Sequence, residues 1–285
     1  MIFSDMKIFT TIPEINDYIV RCKQDGISIG FVPTMGALHS GHISLIERAK
    51  RENSLVGCSI FVNPIQFNKK EDLEKYPRTF DEDVIKLTDV GCDFLFNPSV
   101  DEMYPGTVTE KYDFGFLDTV MEGEHRPGHF NGVAVIVRKL FEIFRPEKAY
   151  FGMKDYQQLC VIQTMTAMLG LPVEIIPCPT VRESDGLAMS SRNVRLSPEA
   201  RKIAPEIYHI LSEAQNRRHS MSVFELENWA IQEFGKFQEF DVEYFKITDS
   251  KTLRPFSDWS EVKSAIACTA VFLGGVRLID NLIIF

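Results

Sequence analysis

Two histidines three positions apart, His39 and His42, flank Gly41 in the stretch Gly30-Phe-Val-Pro-Thr-Met-Gly-Ala-Leu-His39-Ser-Gly-His42. An apolar strand, marked by Ile27, Ile29, Phe31 and Val32 and expected to stop at Pro33, leads into this stretch. A helix with the apolar period Ile43, Leu45, Ile46 and Ala49 leaves it. Such a junction gathers unpaired N–H groups, a helix dipole and two imidazoles around one small volume, while Gly36 and Gly41 let the chain approach an anion closely. The chemistry that this suits is the binding of a nucleotide triphosphate. The spacing from Gly36 to Gly41 mimics a P-loop, but His42-Ile43 stand where that loop needs Lys and Ser/Thr, so the P-loop reading fails. A lone histidine reads as a surface or satisfied core residue. Two of them around one glycine at such a turn favour function.

Three further polar groups fall where strands are expected to end, the place at which open α/β sheets bind ligands. Asn63-Pro-Ile-Gln66-Phe follows an expected strand over 55–62. The Gln66 amide both donates and accepts, as recognition of a hydroxy acid or carboxamide requires; a plain turn residue is the equal alternative. Gly152-Met153-Lys154-Asp155-Tyr-Gln-Gln158 follows a short strand and opens a helix. Lys154 is placed there to neutralise phosphate, and Gln158 lies one turn on, facing the same crevice; a solvated Lys154 with Asp155 as a helix cap is the plainer reading. In Val181-Arg-Glu-Ser-Asp-Gly-Leu-Ala-Met189-Ser190-Ser191-Arg192-Asn193, two hydroxyls precede a guanidinium, a combination that clamps phosphate but is weak on its own. Ser197-Pro-Glu beyond it reads as a helix start.

The elements that must position these residues alternate. The expected strand 55–62, helix 81–89, strand 93–97, helix 132–144, strand 149–152, helix 155–169 and strand 173–176 describe βαβ units. They predict an α/β, Rossmann-like, doubly wound parallel sheet. No GxGxxG fingerprint is present, which disfavours NAD or FAD. From Pro179 the character changes to one long helix 198–218, a mixed stretch, a strand 242–247 and a hairpin of 265–273 with 276–285 across Gly274-Gly275. The chain therefore divides into a Rossmann-like domain, 1–180, and a smaller α+β domain, 181–285. With no Pro/Gly/Ser-rich linker between them, they are expected to dock closely around a site.

A chain of 285 residues exceeds the common single-domain size of ~100–150, in keeping with that division. Its apolar fraction of 45% and charged fraction of 25% are those of an ordinary globular protein. A net charge of −9 argues against a nucleic-acid partner, which takes clustered Lys and Arg. The six cysteines form no CxxC pair and no ligand cluster, so they read as reduced thiols of a cytoplasmic protein. The run Met1-Ile-Phe-Ser-Asp-Met-Lys7 lacks the apolar stretch of a signal peptide. The uncharged stretch 156–173 holds three glutamines and a proline and reads as a packed helix, not a membrane span.

The combination of Pro33-Thr-Met-Gly-Ala-Leu-His39-Ser-Gly-His42, Phe61-Val-Asn-Pro-Ile-Gln66-Phe, Tyr76-Pro-Arg-Thr, Arg126-Pro-Gly-His-Phe, Gly152-Met-Lys-Asp-Tyr-Gln-Gln158 and Thr180 to Asn193 closely resembles the pantothenate synthetase (pantoate–β-alanine ligase) family. The motifs run from Gly30 to Asn193 in family order; the C-terminal hundred or so residues carry weaker ones. The resemblance implies a homodimeric nucleotidylyltransferase in which the pantoate carboxylate attacks the α-phosphorus of ATP and β-alanine then attacks pantoyl adenylate. It implies that Met35, Gly36, Ala37, Leu38, His39, Ser40, Gly41, His42, Gly152, Met153, Lys154, Asp155, Val181, Met189, Ser190, Ser191 and Arg192 bind ATP. His39, His42, Lys154, Ser190, Ser191 and Arg192 would stabilise the phosphoryl charge, with His42 also a proton donor. Gln66 and Gln158 would bind (R)-pantoate, and Gln66 also β-alanine. Mg²⁺ would come with ATP, held mainly by phosphates and water. The acidic run Asp81-Glu-Asp83 offers it a ligand, although carboxylates at a helix start are the plainer reading. Met153 stands where the family usually has Glu, which puts a side-chain role there in doubt. Two other readings are transfer to an acceptor phosphate and a non-catalytic ATP-binding protein. The two glutamines, where a phosphate would call for cations, oppose the first; the complete set of charged groups opposes the second.

Overall fold

A computed structural model describes residues 6–285. The stretch 1–5, part of the run read above for a signal peptide, lies outside the described residues. In chain order the first half comprises β1 (Lys7–Phe9), α1 (Ile12–Gln24), β2 (Ile29–Thr34), α2 (Ser40–Glu52), β3 (Leu55–Ile60), α3 (Lys70–Glu74), α4 (Phe80–Asp89), β4 (Phe94–Phe96), α5 (Val100–Met103) and α6 (Glu122–His125). Then come α7 (His129–Phe144), β5 (Lys148–Gly152), α8 (Tyr156–Met168) and β6 (Glu174–Cys178). The remainder comprises α9 (Pro198–Ile203), α10 (Glu206–Arg217), α11 (Val223–Phe234), β7 (Phe240–Asp249), β8 (Ala265–Leu273) and β9 (Val276–Ile283).

The six strands β1 to β6 form one parallel sheet in the order β1-β4-β3-β2-β5-β6. Apolar residues cover both faces, as a buried parallel sheet demands. Phe31, Phe94 and Phe96 pack with α1 and α7 on one side, while Val32, Cys58 and Leu95 pack with α2 on the other. The winding direction reverses between β2 and β5, and the carboxyl ends of those two strands are where this architecture binds ligands. They carry the histidine stretch and Gly152 to Asp155. The second sheet is antiparallel, β7-β8-β9, with the hairpin at Gly274-Gly275 as expected. Its core, from Leu187 to Ile284, includes residues of α9, α10 and α11.

The structure corrects several expected boundaries. Pro33 does not stop β2 but lies within it, opposite Ser59. Pairing with β5 covers only Gly30 and Phe31, so the strand is paired on one side by the time the missing N–H is reached. The long helix 198–218 is two helices, because Pro205, lacking an N–H and crowding the preceding turn, ends α9 and starts α10. The mixed stretch contains a full helix, α11, opened by a capping box between Ser222 and Glu225. β1, α1 and the short helices α3, α5 and α6 add to the expected elements. The uncharged stretch 156–173 contains the 13-residue α8, which ends at Met168, and among the described residues no helix is long and apolar enough to cross a membrane.

Candidate active site

Beyond β2 the chain turns sharply through Gly36 (φ +81°) and Ala37 (φ +51°). Glycine takes the first value freely; alanine needs the turn to be held. Asp83 of α4, fully buried, holds it by accepting from the backbone N of Ala37 (2.8 Å) and of Leu38 (2.7 Å). Lys86 donates to the carbonyl of Leu38 at 2.9 Å. This corrects the expected phosphate cradle of main-chain N–H groups, since most of those groups already have partners. Gly36 N donates to the Thr34 hydroxyl (3.2 Å), His39 N to Nδ1 of His42 (3.3 Å), and Gly41 N to Nδ1 of His39 (3.1 Å).

The groups left to meet a ligand are side chains. Each imidazole receives a main-chain N–H at Nδ1, so the neutral ring carries its proton on Nε2. Burial, then the neighbouring charge of Lys154, holds the pKa of His39 at about 4. Burial, then His39, holds that of His42 at about 3. Both rings are neutral donors at physiological pH. The rings stand 4.1 Å apart between centroids.

These shifts set an acid limit to stability. The unfolded chain binds protons on such histidines near pH 6.5, whereas the folded chain resists them until about pH 3 to 4. The stabilisation is complete above pH 6.5 and drains as the pH falls, at about 1.4 kcal/mol per pH unit for a buried ring such as His129. The melting temperature should fall steadily from pH 6.5 to pH 5, before the usual carboxylates titrate. A flat profile over that interval would contradict the buried neutral rings.

A cavity of about 220 Å³ is lined by Met35, His39, Gly41, His42, Gln66, Gly152, Lys154, Asp155, Gln158, Val181, Met189, Ser190, Ser191 and Arg192. The structure thus brings the four sequence groups together. Gly36, Ala37, Leu38, Ser40 and Met153 do not line it; Leu38 lies in the core and Met153 packs against the other face of the sheet. Met153 contributes its carbonyl, which with that of Lys154 accepts from Nδ2 of Asn281 on β9 (2.9 and 2.7 Å). A main-chain role tolerates Met at that position. Asp155 does not cap α8 with its side chain, contrary to the plainer expectation, and faces the cavity.

Gln66 is buried, 8% exposed. Its Oε1 accepts from Nδ2 of Asn63 at 3.0 Å, which leaves the Nε2 donors, now against the sulfur of Met35, for a ligand. Asn63, which no sequence pattern marks out beside Gln66, also donates to the carbonyl of Gly132 (3.1 Å). At Gly132 a Cβ would lie 2.4 Å from the carbonyl oxygen of Ile65 and 2.7 Å from Cα of Gln66, so only glycine lets α7 approach this turn. Gln157, beside Gln158, is turned away to bond the carbonyls of Leu117 and Val120.

Ser191 donates to the carbonyl of Ala37 (3.0 Å), tying the Ser-Ser-Arg segment to the histidine turn. Arg192 is bonded to Asp72 of α3 (2.8 Å), which Arg195 also reaches (3.3 Å). Burial by itself would raise the pKa of Asp72, yet the bond from Arg192 lowers it, so the pair is ionised. A second cavity of about 240 Å³ adjoins the first, shares Lys154, Asp155, Ser190 and Arg192 with it, and runs towards Arg126, Arg195 and Arg277. Asp72 belongs to none of the sequence motifs, and Asp83 stands in the sequence only as one carboxylate of an acidic helix start, with no sign that it holds two backbone N–H groups.

Comparison with known proteins agrees with this geometry. The family profile of pantoate-β-alanine ligase matches residues 7–283. The chain belongs to the pantoate-β-alanine ligase family. It is 48% identical to the pantothenate synthetase of Porphyromonas gingivalis strain W83, over 97% of this chain and 99% of that one. The crystal structure of pantothenate synthetase from Thermus thermophilus superposes with a TM-score of 0.93 at 45% identity, covering 98% of this chain and 100% of the other. The ligase from Francisella tularensis, described as complexed with β-γ ATP and β-alanine, gives a TM-score of 0.82 at 36% identity, covering 98% of each chain. The Rossmann-like sheet and the small α+β unit are those of this family. Its members are ligases.

Proposed function

We propose that the chain condenses (R)-pantoate with β-alanine through pantoyl adenylate, in the cavity shared by the two histidines and the two glutamines. In the first step a pantoate carboxylate oxygen bonds to the α-phosphorus of ATP as the bond to the diphosphate leaving group breaks. In the second the β-alanine nitrogen bonds to the acyl carbon, AMP departs, and the amine loses a proton. The observation that carries this reading is the convergence of Nε2–H donors from His39 and His42 with Lys154, Ser190, Ser191 and Arg192, beside Gln66 and Gln158, on one cavity. The cationic and hydroxyl groups suit phosphate; the amides suit the hydroxyls and carboxylate of pantoate. Val133, Ile136, Val137 and Leu140 of α7 supply an apolar wall for its two methyl groups.

In this reading the turn from Met35 to His42, Gly152 to Asp155, Val181 and Met189 to Arg192 hold ATP. Gly36, Ala37, Leu38 and Ser40 serve by shaping the turn that presents the two imidazoles, and Met153 by the carbonyl that anchors Asn281. Arg192 exchanges Asp72 for a phosphate. Mg²⁺ would come with the nucleotide; Asp83, with both oxygens bonded to the histidine turn, is committed elsewhere. Asp155 is the carboxylate facing the cavity, and a metal carried by phosphates and water fits that arrangement. The division at about residue 180 is supported by the separate core from Leu187 to Ile284, with the smaller unit closing on the site through Asn281. Six buried, unpaired cysteines support a reducing compartment such as the cytoplasm. The homodimer rests on the family resemblance.

The test is a product assay in which each substrate is omitted in turn. Pantothenate, AMP and diphosphate are expected in equal amounts only with ATP, pantoate and β-alanine together. ADP and phosphate as the products, or an acceptor other than β-alanine giving equal yield, would overturn the reading.

A further inference from the structure

The turn that presents Gln66 is held from behind by a buried histidine that neither step uses. His129, 6% exposed, opens α7 with Nδ1 at 2.9 Å from the carbonyl oxygen of Gln66 and Nε2 at 3.1 Å from Nη1 of Arg126. A guanidinium only donates and a carbonyl only accepts. The contacts therefore settle the tautomer: Nδ1–H donates to Gln66, and Nε2 accepts from Arg126. Burial, reinforced by the charge of Arg126, holds the pKa at about 4, so the ring is neutral at physiological pH.

The chain of polar contacts continues beyond Arg126. Its Nη1 lies 3.6 Å from Glu122. Glu122 accepts from both terminal nitrogens of Arg277 on β9 (2.8 and 2.7 Å) and from the Tyr244 hydroxyl on β7 (2.8 Å). These bonds override the burial that would raise the pKa of Glu122 and hold it at about 2. An unbroken path thus joins the antiparallel sheet to the main chain of Gln66, with each member buried or nearly so.

We propose that His129 is a positioning residue of the ligation, which fixes the Gln66 turn by donating from Nδ1 and ties it, through Arg126 and Glu122, to the C-terminal sheet. The proposal rests on the assignment of Gln66 to pantoate. Asparagine carries an amide nitrogen as many bonds from Cβ as imidazole Nδ1, and glutamine carries its amide one bond further out. Only the first can replace the bond to Gln66.

The experiment measures KM for pantoate, ATP and β-alanine in Gln66→Ala, His129→Ala, His129→Gln, His129→Asn and the double variant Gln66→Ala/His129→Ala. Loss of the bond should raise the pantoate KM about tenfold in His129→Ala and His129→Gln, with any rise in the β-alanine KM smaller and the ATP KM within about twofold. His129→Asn should return pantoate KM to within about threefold of wild type. The double variant should be no worse than Gln66→Ala, because the second change acts only through the first. If His129→Ala does not fold, His129→Gln, which retains an acceptor for Arg126, carries the comparison with His129→Asn. An unaltered pantoate KM with Gln66→Ala impaired overturns the proposal alone. So do effects that multiply in the double variant, equal failure of Asn and Gln, or a change confined to β-alanine. A Gln66→Ala variant with unaltered pantoate KM overturns the assignment of Gln66 and the proposal together.

Discussion

His42→Ala is expected to lower the rate of adenylate formation by roughly 10²–10³-fold, the effect of deleting one preorganised donor from a site where charge develops on phosphoryl oxygens. The ring is held by two contacts with His39, whose backbone N donates to its Nδ1 and whose ring lies beside it, so Nε2–H points from a fixed place without reorganisation at the moment of reaction. Neutrality is part of this arrangement. A charged ring would repel Lys154 in the free enzyme, whereas an incoming triphosphate raises the pKa of both histidines and makes proton donation from His42 available. The stability loss should be small, about 1 kcal/mol for the broken capping box at the start of α2. Single-turnover formation of adenylate in the purified variant, beside its melting curve, separates the two quantities. A folded His42→Ala protein with near-normal turnover would remove His42 from the chemistry.

The site was legible in the sequence to the extent that it is local. The histidines, Lys154 and the Ser-Ser-Arg segment all lie at strand ends, where residue type and position point the same way. What was hidden is tertiary. Asp83 looks like any carboxylate at a helix start, and only the return of α4 beneath the histidine turn shows that it holds two backbone N–H groups. For the same reason the expected backbone cradle was wrong: a sequence shows which N–H groups lack helical partners, not which are taken by a residue more than forty positions away. Asp72 is concealed in the same manner, since its partners Arg192 and Arg195 lie across the cleft. In the fold, alternation predicted the parallel sheet because strands buried on both faces stand out as apolar runs. The errors fell on proline and on capping. Pro205 and the Ser222-x-x-Glu225 box were visible signals, but the amphipathic stripe that spans Pro205 masked the break.

An adenylate mechanism predicts a partial reaction that direct condensation cannot show. With ATP, Mg²⁺ and pantoate but no β-alanine, the enzyme should exchange labelled diphosphate into ATP, because formation of the acyl–phosphate bond is reversible while the intermediate stays bound. Attack of the amine in a single concerted complex gives no exchange. Oxygen-18 in the pantoate carboxylate should also appear, one atom per turnover, in the AMP released when β-alanine is added, since that oxygen is the bridge to phosphorus in the intermediate. Lys154 sharpens the test. It lines both cavities, and its charge already depresses the pKa of His39 and His42, which places it in the field felt by the phosphates. Lys154→Ala should therefore lower exchange and overall synthesis together, by on the order of 10²-fold or more. Arg192→Ala should do the same, with the added release of Asp72. Synthesis lost while exchange persists would move either side chain to the amide-forming step. Neither exchange nor label transfer, in a preparation shown to make pantothenate, would rule out the adenylate while leaving the fold and the family untouched.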